Sequence, residues 1–189
     1  MSNSIFTKRL QTILVAGGIL LGLVILFSVV MPSPFIGLRS TPITSRAENT
    51  AYNLKNAISA YNTEFRGWPI RSESDITVDS DSELMAVLLA DDSETGEKGR
   101  NPRRITFFSG KKAKPMGDNK FRKGVHLETN TLWDPWGNFY RVRMDNNWDN
   151  RVDDPDPKSE SKELPGTIIV WSAGPDGDFD TWKDNVKTW

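Results

Sequence analysis

The most uneven feature of the chain is an uncharged apolar run, ILVAGGILLGLVILFSVVM, from Ile13 to Met31. A helix of that length spans the hydrocarbon core of a bilayer, with its backbone groups satisfied internally. Lys8 and Arg9 lie just before it, so the positive-inside tendency keeps residues 1–12 in the cytoplasm and sends the following chain across. The run is longer than a secretory signal core and no small-x-small cleavage site follows it, which favours an anchor over a cleaved signal. Pro32 and Pro34 end or kink this helix, and residues 32–41 read as a linker. A helical period then takes over. Thr41 suits an N-cap and Pro42 a first helical position. Ile43, Ala47, Ala51, Leu54, Ile58, Tyr61 and Phe65 recur at steps of three and four and form one apolar stripe, suited to packing on a sheet. Gly67 is placed to close this helix and Pro69 to prevent its return.

Further along, the stretch DSDSELMAVLLADD predicts a short helix, with Ser80 and Glu83 at capping-box spacing and Leu84, Val87 and Leu88 on one face. SETGEKGRNPR reads as a polar loop. Arg104–Phe108 (RITFF) reads as a strand, and the basic KKAKPMGDNKFRKG as a flexible, solvated loop, with contact to an anionic surface the other reading. GNFYRVRM alternates, with Phe139, Arg141 and Arg143 facing one way and Tyr140, Val142 and Met144 the other. GTIIVWSAG, centred on Ile169, is the most apolar strand. Helices followed by antiparallel strands with long loops make an α+β domain over residues 42–189, its long helix laid on the sheet.

Charge and composition narrow the functions available. Lys and Arg number 24 against 25 Asp and Glu, a net charge of −1, which argues against a general nucleic-acid binder. With no Cys, disulfides, thiolate metal sites and cysteine nucleophiles are all absent. His126 is the 1 histidine of the chain and reads as a polar residue beside a strand, with no visible partners for a zinc site or a triad.

Three segments, AYNTEFRGWP, LWDPWGNFYRVR and IIVWSAGPDGDFDTWKDNVKTW, resemble the major pseudopilin family of type II secretion systems. The likeness extends from about Ala47 to Trp189, with Asp-Pro-Trp-Gly-Asn and Gly-Pro-Asp-Gly its most specific pieces; NPRRITFF resembles a variant of larger pseudopilin-like proteins. The resemblance implies a pilin-like fold, in which one N-terminal helix is first a membrane anchor and then packs on an antiparallel sheet. It also implies self-association, or association with other pseudopilins, into a periplasmic filament, in contact with inner-membrane components of the secretion system. The chain departs from the family at its start. Phe6 and Thr7 have no Gly before them, Lys8 and Arg9 follow, and no acid comes after Gly17 and Gly18 inside the apolar run.

Asp176, Asp178 and Asp180 stand at every second position of the C-terminal loop, with Asp184 shortly after. Carboxylate and carbonyl oxygens are hard ligands suited to calcium, and Gly177 lets such a loop curl. The family resemblance implies a calcium site here: Ser172, Asp176 and Asp184 fall on or near its positions, with the carbonyls of Ala173 and Val186 as contributors. Asn185 stands where relatives often carry Asp, and Asp178 and Asp180 either substitute or face water. A solvated acidic turn is the other reading. Independently, DNNWDNRVDDPD places Asp145, Asn147, Asp149, Asp153 and Asp156 at the first, third, fifth, ninth and last positions of a twelve-residue calcium loop. Asn150 stands where that loop wants Gly, and the flanking Pro155 and Pro157 forbid an exiting helix; a polar hairpin loop explains the same residues. Trp133, Trp136, Trp148, Trp171, Trp182 and Trp189 read as packing in a small core rather than as a sugar platform.

Together these expectations describe a non-catalytic structural subunit, single-pass in a bacterial inner membrane with its C-terminal domain in the periplasm. Gly17, Gly18 and Gly22 would permit close helix packing in lipid. The alternative is an unprocessed, membrane-tethered, calcium-dependent binding module that does not polymerise. A hydrolase built on paired carboxylates such as Asp134 is the third reading, and the turn-forming Pro135, Trp136 and Gly137 explain Asp134 without catalysis.

Overall fold

A computed structural model describes residues 42–189. The anchor predicted for Ile13–Met31, the linker 32–41 and the Thr41 cap lie outside the described residues. Among the described residues no helix is long and apolar enough to cross a membrane.

Helix α1, described over Pro42–Phe65, buries Ala47, Ala51, Leu54, Ala57, Ile58 and Tyr61. Ile43, predicted on the stripe, is 40% exposed because it precedes the sheet contact. Arg66, not Gly67, takes the left-handed conformation at the helix end (φ 54°), and its N–H donates to the Asn62 carbonyl. Helix α2, Ser82–Leu89, is capped by Asp81, whose carboxylate accepts from the Glu83 N–H at 3.0 Å. Ser80 is therefore not the cap. It is fully buried and joins strands instead: its hydroxyl donates to the Leu132 carbonyl at 2.7 Å and accepts from the Tyr140 N–H at 2.8 Å.

The main sheet is antiparallel and four-stranded, in the order β1 (Thr77–Asp79), β6 (Tyr140–Met144), β9 (Ile168–Ser172), β10 (Val186–Lys187). Strand β6 keeps the predicted alternation, with Tyr140, Val142 and Met144 buried. Strand β9 is buried on both faces. Ile168 and Val170 enter the main core with α1 and α2, while Ile169 and Trp171 join Val152, Leu164, Phe179 and Trp182 on the reverse face. The two-residue period of a strand thus feeds two separate cores.

Two expectations are corrected between α2 and β6. Residues 104–108 form no strand. Asn101 is buried, its Nδ2 donates to the carbonyls of Val87 and Ile105 and its Oδ1 accepts from the Ile105 N–H. Phe107 and Phe108 N–H both donate to the Leu88 carbonyl. The backbone groups a strand would offer to a neighbour are already used by α2 and Asn101. Conversely, the basic stretch expected to be a loop forms a hairpin, β2 (Lys114–Gly117) with β3 (Lys120–Arg122). Asp118 and Asn119 both have positive φ (48° and 59°), the hairpin-turn geometry that Asp and Asn tolerate. The small pairs β4 (Gly124–His126) with β5 (Thr131–Trp133) and β7 (Arg151–Asp153) with β8 (Glu163–Pro165) complete the fold.

Candidate calcium loop and its supports

The loop between β9 and β10 is closed at its base by the sheet. Val186 pairs with Ser172 and Lys187 with Trp171, which brings Ser172, Ala173, Asp184, Asn185 and Val186 together from the two ends of the loop. Gly174 (φ 72°) packs directly on Asp184: a Cβ there would meet the Asp184 carbonyl oxygen at 2.4 Å and its Oδ2 at 3.4 Å. Any side chain at 174 would push the two halves of the loop apart.

Within the loop, the two-residue spacing of the acids has a local cause. Asp176 Oδ1 accepts from the Asp178 N–H and Asp178 Oδ1 from the Asp180 N–H, each at 2.9 Å. Each carboxylate satisfies the amide two residues on, the Asx-turn pattern. Asp176 Oδ2 also accepts from the Thr181 hydroxyl at 2.5 Å; chiefly through that bond, its carboxyl is held below the usual aspartate range. Asp176, Asp178 and Asp180 are exposed.

Asp134 supports the base of this loop from the neighbouring segment. It is fully buried, and its Oδ1 accepts from the N–H groups of Trp136, Gly137 and Asn138 at 2.7–2.9 Å. Its Oδ2 accepts from the Ser172 hydroxyl at 2.6 Å, and Ser172 Oγ in turn accepts from the Gly174 N–H at 3.2 Å. Burial nonetheless raises the Asp134 carboxyl above its ordinary range. The Asp-Pro-Trp-Gly-Asn turn and the acidic loop are therefore one hydrogen-bonded unit, a link no sequence spacing announces. Both oxygens of Asp134 are thus occupied by main-chain and serine donors.

Asn185 carries the unexplained group. It is 9% exposed and its Nδ2 donates to the Phe179 carbonyl at 3.0 Å, while its Oδ1 is buried without a hydrogen-bond partner. A buried acceptor without a donor is unfavourable unless a cation or water meets it. Among the described residues no three Asp, Glu or His side chains converge into a carboxylate-rich metal cage. A site here would be mixed, with Asp184, Asn185 Oδ1 and main-chain carbonyls rather than clustered acids as its oxygens, a donor set that calcium accepts.

The second predicted loop runs from the end of β6 through β7. Asp145 is buried, with Oδ1 accepting from the Asp149 N–H and Oδ2 from the Asn150 N–H. Asn147 Oδ1 accepts from the Asp149 N–H, and Asp149 Oδ1 from the Arg151 N–H. Residues 151–153 then leave as β7, so Asp153 lies on a strand and Asp156 beyond it, where its Oδ1 accepts from the Lys158 N–H. Hydrogen bonds gather Asp145, Asn147 and Asp149 into one turn, while Asp153 lies on β7 and Asp156 follows it. Trp68 fastens this turn: its Nε1 donates to the Asp145 carbonyl at 2.6 Å, and its ring stacks on Trp148 with centroids 5.4 Å apart. On the reverse face of the sheet Trp171, Trp182 and Trp189 pack within 6.0–6.3 Å of each other. His126 lies in β4, stacked on Phe121, with Nδ1 2.7 Å from the Thr129 hydroxyl.

Compared with protein-family models, with curated proteins and with solved structures, the chain has no match.

Proposed function

We propose that the chain is a pseudopilin-like structural subunit. It is anchored in a bacterial inner membrane by Ile13–Met31, carries residues 42–189 in the periplasm, and assembles through its N-terminal helices into a filament serving type II secretion. The observation that carries this reading is helix α1: described from Pro42, shortly after the apolar run in sequence, it lays its stripe from Ala47 to Tyr61 on an antiparallel sheet. An anchor followed by a helix-backed sheet is the architecture such a subunit needs. Neighbouring copies, other pseudopilins and inner-membrane secretion components are its partners, and its role is assembly rather than catalysis. Electron microscopy of the native protein extracted from membranes tests it: fibres are expected, and dispersed single particles under all conditions would overturn it.

Calcium belongs to this reading. Asp184, Asn185 Oδ1 and the carbonyls of Ala173 and Val186 would hold it, with Asp176, Asp178 and Asp180 lining the mouth. The ion would supply charge to the orphaned Asn185 oxygen and fix the loop as a surface for the next subunit. A chelator is expected to lower the melting temperature of the purified protein; no change removes calcium. The tethered, non-polymerising module is favoured by one feature, the absence of any acid in Ile13–Met31. Intact mass decides, since a trimmed N-terminus supports the filament and an untrimmed one the tether.

A further inference from the structure

The basic stretch from Lys111 to Gly124 takes no part in the calcium loop, yet the fold gathers it into a site. Lys111, Lys112, Lys114 and Lys123 line one groove together with Arg46 of α1, a cavity of about 710 Å³ with no Asp or Glu in its lining. None of these cations has an ion-pair partner among the described residues, although Arg100, Arg103, Arg104, Arg141 and Arg151 all do. The floor is apolar: Phe108, Leu132 and Tyr140 are buried beneath it, and Trp133 forms part of a wall. Uncompensated like charges over a low-dielectric floor focus positive potential into the groove and draw an anion there. The volume suits a group of small-molecule size.

Position selects the anion. The groove lies against the first turns of α1; at 1.5 Å per residue, Arg46 is only about 6 Å along the axis from Pro42. Residues 32–41 reach at most about 35 Å even when fully extended. If Ile13–Met31 is in the bilayer, lipid phosphates are tethered within reach of this end of the domain at high effective concentration. The β2–β3 hairpin beside the groove also carries Met116, 47% exposed, on the same strand as Lys114; apolar side chains beside cations are common in membrane-surface segments.

We propose that this groove docks the domain on the membrane surface by taking the phosphate of an anionic phospholipid headgroup, a contact that rests on the reading of Ile13–Met31 as an anchor. An acidic surface of a second copy is the competing occupant. The test uses the full-length chain reconstituted in vesicles of phosphatidylcholine, alone or mixed with phosphatidylglycerol, digested with trypsin and read by mass spectrometry. Cleavage at Lys111, Lys112 and Lys123 is expected to slow about tenfold on the anionic vesicles relative to cleavage at Lys158 and Lys162, since adjacent basic residues each add to the surface attraction. Raised salt, or the Lys111→Glu, Lys112→Glu, Lys114→Glu variant judged by its remaining Lys123 site, should abolish the difference. Equal cleavage on both vesicles, with the chain resisting alkaline extraction, overturns the docking proposal and leaves the anchor standing. A chain that alkaline carbonate extracts overturns the anchor and the proposal together. Protection on neutral vesicles that grows with protein density assigns the groove to a second copy, and protection by inorganic phosphate alone assigns it to a free anion; either result overturns lipid docking.

Discussion

The apolar core under α1 and the loops at one end of the main sheet are stabilised by different physics. On the α1 side, Leu54, Ile58, Leu84, Leu88, Tyr140 and Val142 are buried among one another and the order comes from apolar contact. In residues 134–138 and 173–185, at one end of the strands, the order comes instead from carboxylates that collect main-chain N–H groups. Apolar burial is indifferent to pH and ions, whereas a carboxylate scaffold depends on both. The half that carries the acidic loops is therefore the half that solution conditions can loosen.

The largest expected effects set one residue of each region against the other. Asp134→Ala strands the N–H groups of Trp136, Gly137 and Asn138 and the Ser172 hydroxyl together, and should destabilise by about 4 kcal/mol in denaturant titrations. Asp134→Asn keeps an oxygen for the three amides and should lose only about 1 kcal/mol. Leu54→Ala, in the fully buried stripe, should lose about 3 kcal/mol through lost transfer energy and a residual cavity. If Asp134→Ala proves milder than Leu54→Ala by a wide margin, the carboxylate scaffold is decoration on an apolar fold and the contrast fails.

Next in size is the cation. With calcium at about a hundredfold its dissociation constant, a bound loop gains about 2.7 kcal/mol, seen as a rise in melting temperature. Asn185→Asp sharpens the point. Without metal, it places a charge beside a buried, partnerless oxygen position and should lower stability; with calcium, the same charge should raise affinity and reverse the sign. A variant equally destabilised with and without calcium would show that the loop takes no ion.

Much of the apolar half was legible in the sequence, and the carboxylate half was not. The stripe of α1 and the alternation of β6 are periodic, and periodicity survives without knowledge of partners. The misreadings share one cause. Ser80 looked like a cap and Arg104–Phe108 like a strand because local pattern cannot reveal that Ser80 is needed between β5 and β6, or that Asn101 and Leu88 take the backbone groups near Ile105 and Phe107. The basic hairpin had a usable signal, the Asp118–Asn119 pair, which tolerates the turn's positive φ. In the acidic loop the spacing of Asp176, Asp178 and Asp180 is plain, but their Asx turns and the Asp134–Ser172 link are local-geometric or long-range facts that spacing does not encode.

A smaller effect comes from an ion pair within the loop after α2, a loop that Tyr61 of α1 also holds. Glu94 accepts from Arg100 Nη2 at 2.7 Å and Nε at 2.8 Å, while Tyr61 donates to the Arg100 carbonyl at 2.6 Å. The Arg100 bonds hold the Glu94 carboxyl below its ordinary value of 4.5. A depressed carboxyl stabilises the fold above its unfolded pKa, and that contribution is lost as pH falls from about 4.5 through the folded value. Asp134 has the opposite sign: its raised pKa means that stability declines as pH climbs out of the ordinary aspartate range. Glu94→Gln should cost about 1 kcal/mol at neutral pH, tempered by the partial exposure of Arg100, and should flatten the acid limb of a stability–pH curve. An unchanged acid limb would remove Glu94 from the account.

The smallest effect separates the sequence's helix stop from the one the fold uses. Arg66 holds the left-handed conformation (φ 54°), which strains any residue with a Cβ, so Arg66→Gly should stabilise by about 0.5–1 kcal/mol. Gly67 is not in that region, and a Cβ on it would first meet the flexible Arg71 guanidinium at 3.4 Å. Gly67→Ala should therefore stay within about 0.5 kcal/mol of the parent. Paired melts of the two variants decide the matter. If Gly67→Ala is the damaging change and Arg66→Gly does nothing, the left-handed residue is Gly67, and α1 ends one residue later than described.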